Sequence, residues 1–329
     1  MTDTIQRKST WARRGALLAA RFGLAVLPVW WISRNLDWSD VVRRIGDASS
    51  VLLVCTVLSP ALSLAVGAFR WGALLRVYGA VTTPPWATLF RYNLVGAWFN
   101  LLPGAVAGDA LRGWRVRSVL PGAADTYAVV LVERVLGLVA LLTLAGAALV
   151  SPAAKQSSVV VHVLGVALVL AAALSFALLL APPILRALPT PSRGQLAQLA
   201  AAINRLPQPQ TYGGVGKAFG LSLVTQGVVI LQVLVLIWHF SPQADLISAA
   251  AIVPTLLLAT YIPITPGGIG QREFLSVTFL EFAFVEAEAA VTVSILVFAS
   301  TMLMAIAGGV AYAAEGFLGV TNQANESDQ

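Results

Sequence analysis

The sequence predicts an all-α, polytopic membrane bundle of about seven spans, with two further segments that are broken by Pro and Gly and re-enter the membrane. Only 11% of its 329 residues are charged and 58% are hydrophobic, whereas a soluble domain usually has about 25% charged residues. Residues 289–312 contain no Asp, Glu, Lys, Arg or His and exceed the roughly 20 residues that cross the hydrocarbon core. The ~10-residue alternation of a membrane β-barrel is not visible in the sequence, so we expect helices to form the spans.

Seven hydrophobic stretches can be placed as spans, and they divide the chain into three parts. A basic segment, 1–14, precedes an integral membrane domain, 15–316, whose two repeat halves would cover 15–150 and 158–316. A polar tail at 317–329 follows and is expected to be disordered from Thr321. The predicted spans are 15–32, 49–69, 126–150, 158–181, 218–240, 246–262 and 289–312.

The distribution of Lys and Arg between the spans predicts the orientation of the chain. Basic residues concentrate before the first span and in the loops after the second and fourth spans, which places the N-terminus of this cell-membrane protein in the cytoplasm. We therefore attribute the net charge of +6 to membrane topology and expect no nucleic-acid partner. From the single Cys55 and the widely spaced His162 and His239 we expect no disulfide, metal site or cofactor.

Two segments, 86–120 and 262–284, are too polar to face lipid and too apolar to be ordinary loops. Each contains a Pro-Gly break and then a Gly, an acid and an arginine: Pro103, Gly104, Gly108, Asp109 and Arg112 in the first, and Pro266, Gly267, Gly268, Gly270, Arg272 and Glu273 in the second. Paired Pro/Gly-interrupted segments in two halves of a membrane protein indicate a transporter site; the alternative is chance similarity between two loops. Such backbone is tolerated only where it is buried in protein or lines a wet cavity.

A helix that restarts after each break would present free N–H groups and the positive end of its dipole to an anion such as phosphate. Asp109 and Glu273 would then be either structural caps or polar partners of a cation or proton inside the membrane. Asp109, Arg112 and Arg115 have a spacing that places them near one helical face. The two arginines there either bind a lipid phosphate or snorkel towards water.

Glu133 and Arg134 lie about a third of the way along the third predicted span. A lone charge at membrane depth costs roughly 3 kcal/mol or more, so both side chains should have partners. Adjacent helical residues point about 100° apart, and each side chain can therefore reach a broken segment rather than its neighbour. The alternative to a functional role is a structural clamp.

Three segments together resemble the flippase-like, lysylphosphatidylglycerol synthase transmembrane-region family: NLLPGAVAGDALR at 100–112, LVERVLGL at 131–138 and PITPGGIGQREF at 263–274. The resemblance implies a helical bundle with re-entrant elements and, as in the full-length synthases, translocation of an aminoacylated phospholipid between leaflets. The chain has no room for the soluble aminoacyl-transferase domain of those synthases, so we expect it not to synthesise the lipid. The positions that the resemblance carries over are Asn100, Pro103, Gly104, Asp109, Arg112, Glu133, Arg134, Pro266, Gly267, Gly268, Gly270 and Glu273, to which the residue-level reasoning adds Arg115 and Arg272.

Two functions are consistent with these patterns. The first is a flippase that moves a phospholipid or lipid-linked precursor with an anionic or phosphate headgroup. Such a protein would have no enzymatic activity of its own, and it could act as a homo-oligomer. The second is a non-transporting membrane scaffold for a lipid-modifying or glycosyl-transferring enzyme. An intramembrane enzyme is the least favoured reading, because the sequence offers no nucleophile or metal constellation.

Overall fold

A computed structural model describes residues 34, 36–101, 106–147, 209–260 and 270–327, together with single helical residues at 166, 170 and 173. Within these residues the chain is helical and contains no β-strand. The all-α prediction is therefore confirmed for this part of the chain. The predicted spans 15–32 and 158–181 lie outside it, except for the three single residues in the latter.

Nine α-helices and one 3₁₀ turn make up the described ranges. In chain order they are α1 Trp38–Gly46, α2 Ser50–Val77, α3 Trp86–Phe99, α4 Ala107–Arg115, α5 Ala123–Ala147, α6 Tyr212–Phe240, α7 Leu246–Thr260, α8 Gln271–Leu280, the 3₁₀ turn Glu281–Ala283, and α9 Ala287–Ser327.

Four of these helices are long and apolar enough to cross a membrane: Ser50–Val77, Asp125–Gly146, Tyr212–Phe240 and Ala287–Glu315. They correspond to the predicted spans 49–69, 126–150, 218–240 and 289–312. Helix α7 matches the prediction at 246–262 but is shorter than the helices that could cross a membrane unaided.

Three helices extend well beyond the predicted spans: α6 begins at Tyr212 rather than at residue 218, and α2 and α9 continue past their predicted ends. Helix α2 continues to Val77 rather than ending at residue 69, because Arg70 finds partners inside the protein and need not leave the helix for water. Helix α9 continues to Ser327. The prediction of a disordered tail from Thr321 is therefore wrong for residues 321–327. No proline interrupts the tail sequence, and a helix already formed propagates at little cost.

Helix α2 contains a proline that is compensated by a neighbouring helix. Pro60 has no N–H group, so the carbonyl of Thr56 one turn earlier loses its helical donor. The side-chain amide of Gln232 on α6 donates to that carbonyl at 3.0 Å and to Ser300 Oγ on α9 at 3.1 Å. One buried amide thus joins the three longest helices.

The two larger clusters of the hydrophobic core among the described residues share α6. The first surrounds the end of α2 and the start of α6, with Trp71, Leu74 and Val129 fully buried. The second surrounds the end of α6 and the start of α9, with Leu236 and Leu280 fully buried. We call the first the α2-end of the bundle and the second the α9-start.

Helix α1 is attached to the α9-start by one arginine. Arg44 donates to the carbonyl of Phe240 and pairs with Asp40 and Glu286, each at 2.6 Å. Its hydrogen bond to Asp40 lowers the pKa of that carboxyl below the ordinary value, so the pair is charged at neutral pH. The contact fixes where the chain enters α2.

Candidate functional site

The first broken segment is closed by an asparagine that caps the following helix. Asn100 ends α3, and its Oδ1 accepts a hydrogen bond from the backbone N–H of Gly108, in the first turn of α4, at 3.0 Å. Gly108 lies so close to α3 that a Cβ there would collide with the carbonyl oxygen of Gly96. The cap and the close approach bring the two short helices together across the break. Pro103 and Gly104, which were predicted to form that break, lie outside the described residues.

Glu133 lies at the centre of a buried ion-pair cluster. Its side chain is only 4% exposed, and its two oxygens have different partners. Oε1 accepts from Arg70 on α2 at 2.9 Å, and Oε2 accepts from Arg112 on α4 at 2.5 Å. A carboxylate buried on α5 is therefore neutralised by two guanidinium groups from two other helices.

Asp109 extends this cluster to a third arginine. It accepts a hydrogen bond from Arg134 at 2.5 Å and lies 3.5 Å from Arg112. The prediction that Glu133 and Arg134 reach the first broken segment rather than each other is confirmed for both residues. The five charged residues of this group, Arg70, Asp109, Arg112, Glu133 and Arg134, are called the Glu133 cluster below.

The Glu133 cluster has more positive than negative charge. Three guanidinium groups face two carboxylates, which leaves one positive charge in excess. Two guanidinium N–H groups, at Arg70 Nε and Arg112 Nε, are buried without a hydrogen-bond partner among the described residues, as is the indole N–H of Trp71. One buried acceptor of the cluster, Asp109 Oδ1, also lacks a hydrogen bond among the described residues, but the three donors outnumber it, so the vacant hydrogen-bonding capacity suits an anion.

Arg115 has a different set of partners from Arg112, although the two lie one turn apart on α4. It forms a two-point pair with Glu315 on α9, at 3.2 and 2.6 Å, and Glu315 also lies 3.1 Å from Arg91. Only about a tenth of either side chain, Arg112 or Arg115, is exposed. The two arginines are therefore held inside the protein, and neither snorkels to water.

The second broken segment leads into α8 through a glycine with positive φ. Gly270 has φ 78°, a conformation that L side chains rarely adopt. Its N–H donates to Glu273 Oε2 at 2.7 Å, which is the reciprocal half of a capping box. Glu273 thus has the structural capping role that was one of its two predicted readings. Pro266, Gly267 and Gly268 lie outside the described residues.

Arg272 completes a smaller group at this segment. It lies 3.2 Å from both Glu273 Oε1 and Ser294 Oγ, and its guanidinium lies 4.4 Å from the ring centre of Phe298. Ser294 in turn donates to Glu273 at 3.3 Å. These residues, Gly270, Arg272, Glu273 and Ser294, are called the Glu273 group below.

The two sites lie at different depths along α9. At 1.5 Å per residue, roughly 32 Å of helix separates Ser294, which contacts Arg272, from Glu315, which contacts Arg115. The C-terminus of α4 lies at the α2-end, whereas α8 runs into the 3₁₀ turn whose Ala283 carbonyl accepts from the N–H of Asp245 at the α9-start. The C-termini of the two short helices therefore lie at opposite ends of the bundle.

Several residues of the Glu133 cluster and its surroundings were not predicted from the sequence. Arg70 carried a signal, since it is a charge next to an apolar run, but it was interpreted as the end of a span. Trp71, Ser222 and Glu315 had no distinguishing signal in the sequence. They contribute a ring under Arg112 at 4.3 Å, an acceptor for Arg70 at 3.1 Å and the partner of Arg115.

Comparison with known proteins identifies the family of this chain. A family model described as the lysylphosphatidylglycerol synthase TM region matches residues 18–309. No curated protein matches the chain. The matched range includes helices α1 to α8, the first half of α9 and every residue of the Glu133 cluster and the Glu273 group. The chain therefore belongs to the lysylphosphatidylglycerol synthase transmembrane-region family.

Proposed function

We propose that this membrane domain translocates a phospholipid or lipid-linked precursor between leaflets and holds its headgroup phosphate at the Glu133 cluster. The observation that carries the proposal is a cluster of five charged side chains between α4 and the apolar helices α2 and α5, with buried N–H donors at Arg70 and Arg112 that have no hydrogen-bond partner among the described residues. Ionisable groups at membrane depth are costly and usually belong to a substrate or ion pathway. Acyl chains would remain in the surrounding lipid while the headgroup passes through the protein.

The lengths of α4 and α8 support re-entrant rather than spanning elements. At 1.5 Å per residue the two helices are roughly 13 and 15 Å long, about half of the ~30 Å hydrocarbon core. Each follows a segment whose sequence contains Pro and Gly, and their C-termini lie at opposite ends of the bundle. Half-helices in this arrangement occur at transporter sites.

The charges at the two ends of the bundle support an orientation. Arginines prevail at the α2-end, at Arg76, Arg91, Arg112, Arg115 and Arg117, whereas acids prevail near the α9-start, at Asp37, Asp40, Asp245, Glu286 and Glu288. With the predicted span 15–32 counted, the positive-inside rule supports a proposal in which the α2-end and the N-terminus lie in the cytoplasm of a cell-membrane protein. The partner in this proposal is a lipid with an anionic or phosphate headgroup, and the activity is transport without catalysis.

Reconstitution tests the proposal directly. Proteoliposomes are loaded with lipids that carry a quenchable fluorophore, and the rate at which inner-leaflet lipid becomes accessible to an external quencher is measured for a panel of headgroups. We expect wild-type protein to exceed protein-free vesicles for at least one phosphate-bearing lipid. Arg112→Gln should lower that rate about tenfold, which corresponds to a loss of about 1.4 kcal/mol.

The matched control is Arg43→Gln. This arginine also pairs with an acid, but its side chain is 70% exposed and lies near the α9-start, so the rate should be unchanged. A full rate in Arg112→Gln would contradict the site. No flux by purified wild-type protein, together with a lipid-modifying or glycosyl-transferring enzyme that copurifies stably, would favour the scaffold function instead.

A further inference from the structure

Glu133 occupies the position that a phosphate group would need in order to bridge two arginines. One of its oxygens faces Arg70 and the other faces Arg112. The guanidinium group matches carboxylate and phosphate oxygens with the same planar geometry. A carboxylate and a phosphodiester also carry the same single negative charge, so either anion can neutralise the two arginines equally well.

The two arginines are each held by contacts that do not involve Glu133. Arg70 Nη1 donates to Ser222 Oγ at 3.1 Å. Arg112 lies over the ring of Trp71 at 4.3 Å and within 3.5 Å of Asp109. If Glu133 moved away, both guanidinium groups would keep a second support and would stay in place for another anion.

An empty site without Glu133 would be costly. Removing one partner of a buried ion pair leaves an uncompensated charge, and this strongly destabilises a folded protein. Here two arginines would be left at once, each with a buried Nε–H that has no partner among the described residues. A resident carboxylate removes that cost whenever no lipid is bound.

We infer that Glu133 is an internal counter-anion that occupies the phosphate position in the resting protein and is displaced from Arg70 and Arg112 by the phosphate of the bound lipid. This rests on the proposed function for the identity of the ligand. The exchange replaces one monoanion by another, so the arginines stay neutralised throughout. Glu133 therefore competes with the lipid, and loss of its charge should tighten lipid binding, whereas loss of Arg112 should weaken it.

The test measures equilibrium binding rather than transport. The folded, monodisperse full-length protein in detergent is titrated with short-chain phosphatidylglycerol, with the matching diacylglycerol that lacks phosphate, and with glycerol phosphate that lacks acyl chains. We expect Glu133→Gln to lower the dissociation constant for phosphatidylglycerol about tenfold and Arg112→Gln to raise it about tenfold. Diacylglycerol binding should be unchanged in both variants. Glu286→Gln is the matched control, because this acid also pairs with an arginine but is 48% exposed at the α9-start, and it should leave the phosphatidylglycerol affinity at its wild-type value.

A second pair of variants covers the case in which Glu133→Gln does not fold. The double variant Arg70→Gln/Glu133→Gln removes one charge of each sign, and it should bind phosphatidylglycerol more tightly than Arg70→Gln alone. Equal or weaker binding in the folded variant of either pair would overturn the inference. A gain for glycerol phosphate as large as that for the lipid would show a free phosphate ligand and would overturn the assignment to a lipid.

The outcomes separate this inference from the proposed function. Tighter phosphatidylglycerol binding by Glu133→Gln, without flux by wild-type protein, would support Glu133 as a competing anion and contradict translocation. Flux by wild-type protein, with weaker binding by Glu133→Gln, would support translocation and contradict the competing-anion role.

Discussion

The Glu133 cluster and the Glu273 group arise from similar stretches of sequence but are built in different ways. In the first, the pairs join residues 63, 21 and 25 positions apart, from α2, α4 and α5. In the second, Arg272 and Glu273 are neighbours, Glu273 caps its own helix three residues earlier, and only Ser294 comes from another helix. One site is assembled by tertiary packing and the other mainly by local geometry.

This difference shows that a shared motif does not imply a shared role. In the Glu273 group the single acid and the single arginine neutralise each other, and the acid is used as a cap. In the Glu133 cluster the acid of the broken segment, Asp109, makes no such cap, since Asn100 supplies it. Its carboxylate is therefore available to Arg134 and Arg112, and the cluster retains a net positive charge. We accordingly place the anion site in the first half of the chain.

The largest expected contrast comes from the same substitution at the two acids. Glu133→Gln should lower the free energy of unfolding by about 3 kcal/mol or more, because it leaves two buried arginines without a counter-charge. Glu273→Gln should cost less than about 1 kcal/mol, because Gln also serves at this position of a capping box. Denaturant unfolding in detergent measures both values. Equal losses of unfolding free energy would contradict the difference between the surroundings of the two acids.

The glycines of the two broken segments should give the next largest contrast. Gly108→Ala introduces a Cβ that collides with the carbonyl of Gly96 and lies 2.6 Å from Asn100 Oδ1, and overpacking of this kind costs about 2–3 kcal/mol. Gly270→Ala places a Cβ on a residue with φ 78°, and the strain of this positive φ should cost about 1–2 kcal/mol.

Gly227→Ala provides the control for this pair. A Cβ at this position on α6 meets nothing within 4 Å, and Ala is the better helix former. Its melting temperature should therefore equal or exceed that of the wild type. A Gly108→Ala variant as stable as Gly227→Ala would contradict the close approach of α3 and α4.

The smallest expected effect concerns Gln232, whose side-chain amide contacts α9 at a position between the two sites. Ser300, which receives the Gln232 amide, lies between Ser294 and Glu315 along α9. Gln232→Leu leaves the Thr56 carbonyl without a donor and should cost about 1–2 kcal/mol. Pro60→Ala restores an N–H to α2 and should remove most of that cost in the double variant.

Gln226→Leu is the matched control for this rescue. Its amide donates to the carbonyl of Gly137 on α5, which Pro60 does not affect, so Pro60→Ala should not reduce its cost. The free energies of unfolding of the three single and two double variants decide the point. If Pro60→Ala rescued neither glutamine variant, Gln232 would not be compensating for the proline.

Much of the fold could be predicted because lipid imposes strict local rules. An apolar run of about 20 residues must be a helix, and the four candidate spans of the described residues were all predicted. Glu133 and Arg134 could be singled out because a charge within an apolar run requires a partner. Asp109 and Arg112 could be singled out because they follow one of the paired Pro/Gly segments. The rule for apolar runs failed at Arg70, because a charge at the edge of such a run is equally consistent with the start of a loop.

The sequence by itself determined that this chain is a helical membrane protein. It also determined which segments contain helix-breaking Pro and Gly residues and which charges must find partners. The tertiary structure decided which partners they find. The pairing of Glu133 with Arg70 depends on how α2 packs against α5, and that of Arg115 with Glu315 on how α4 and α9 both pack against α3. Such contacts join residues far apart in the chain, so no local pattern encodes them. Only the packed bundle shows that the charges of the first broken segment belong to the Glu133 cluster, whereas the acid and the arginine of the second pair with each other.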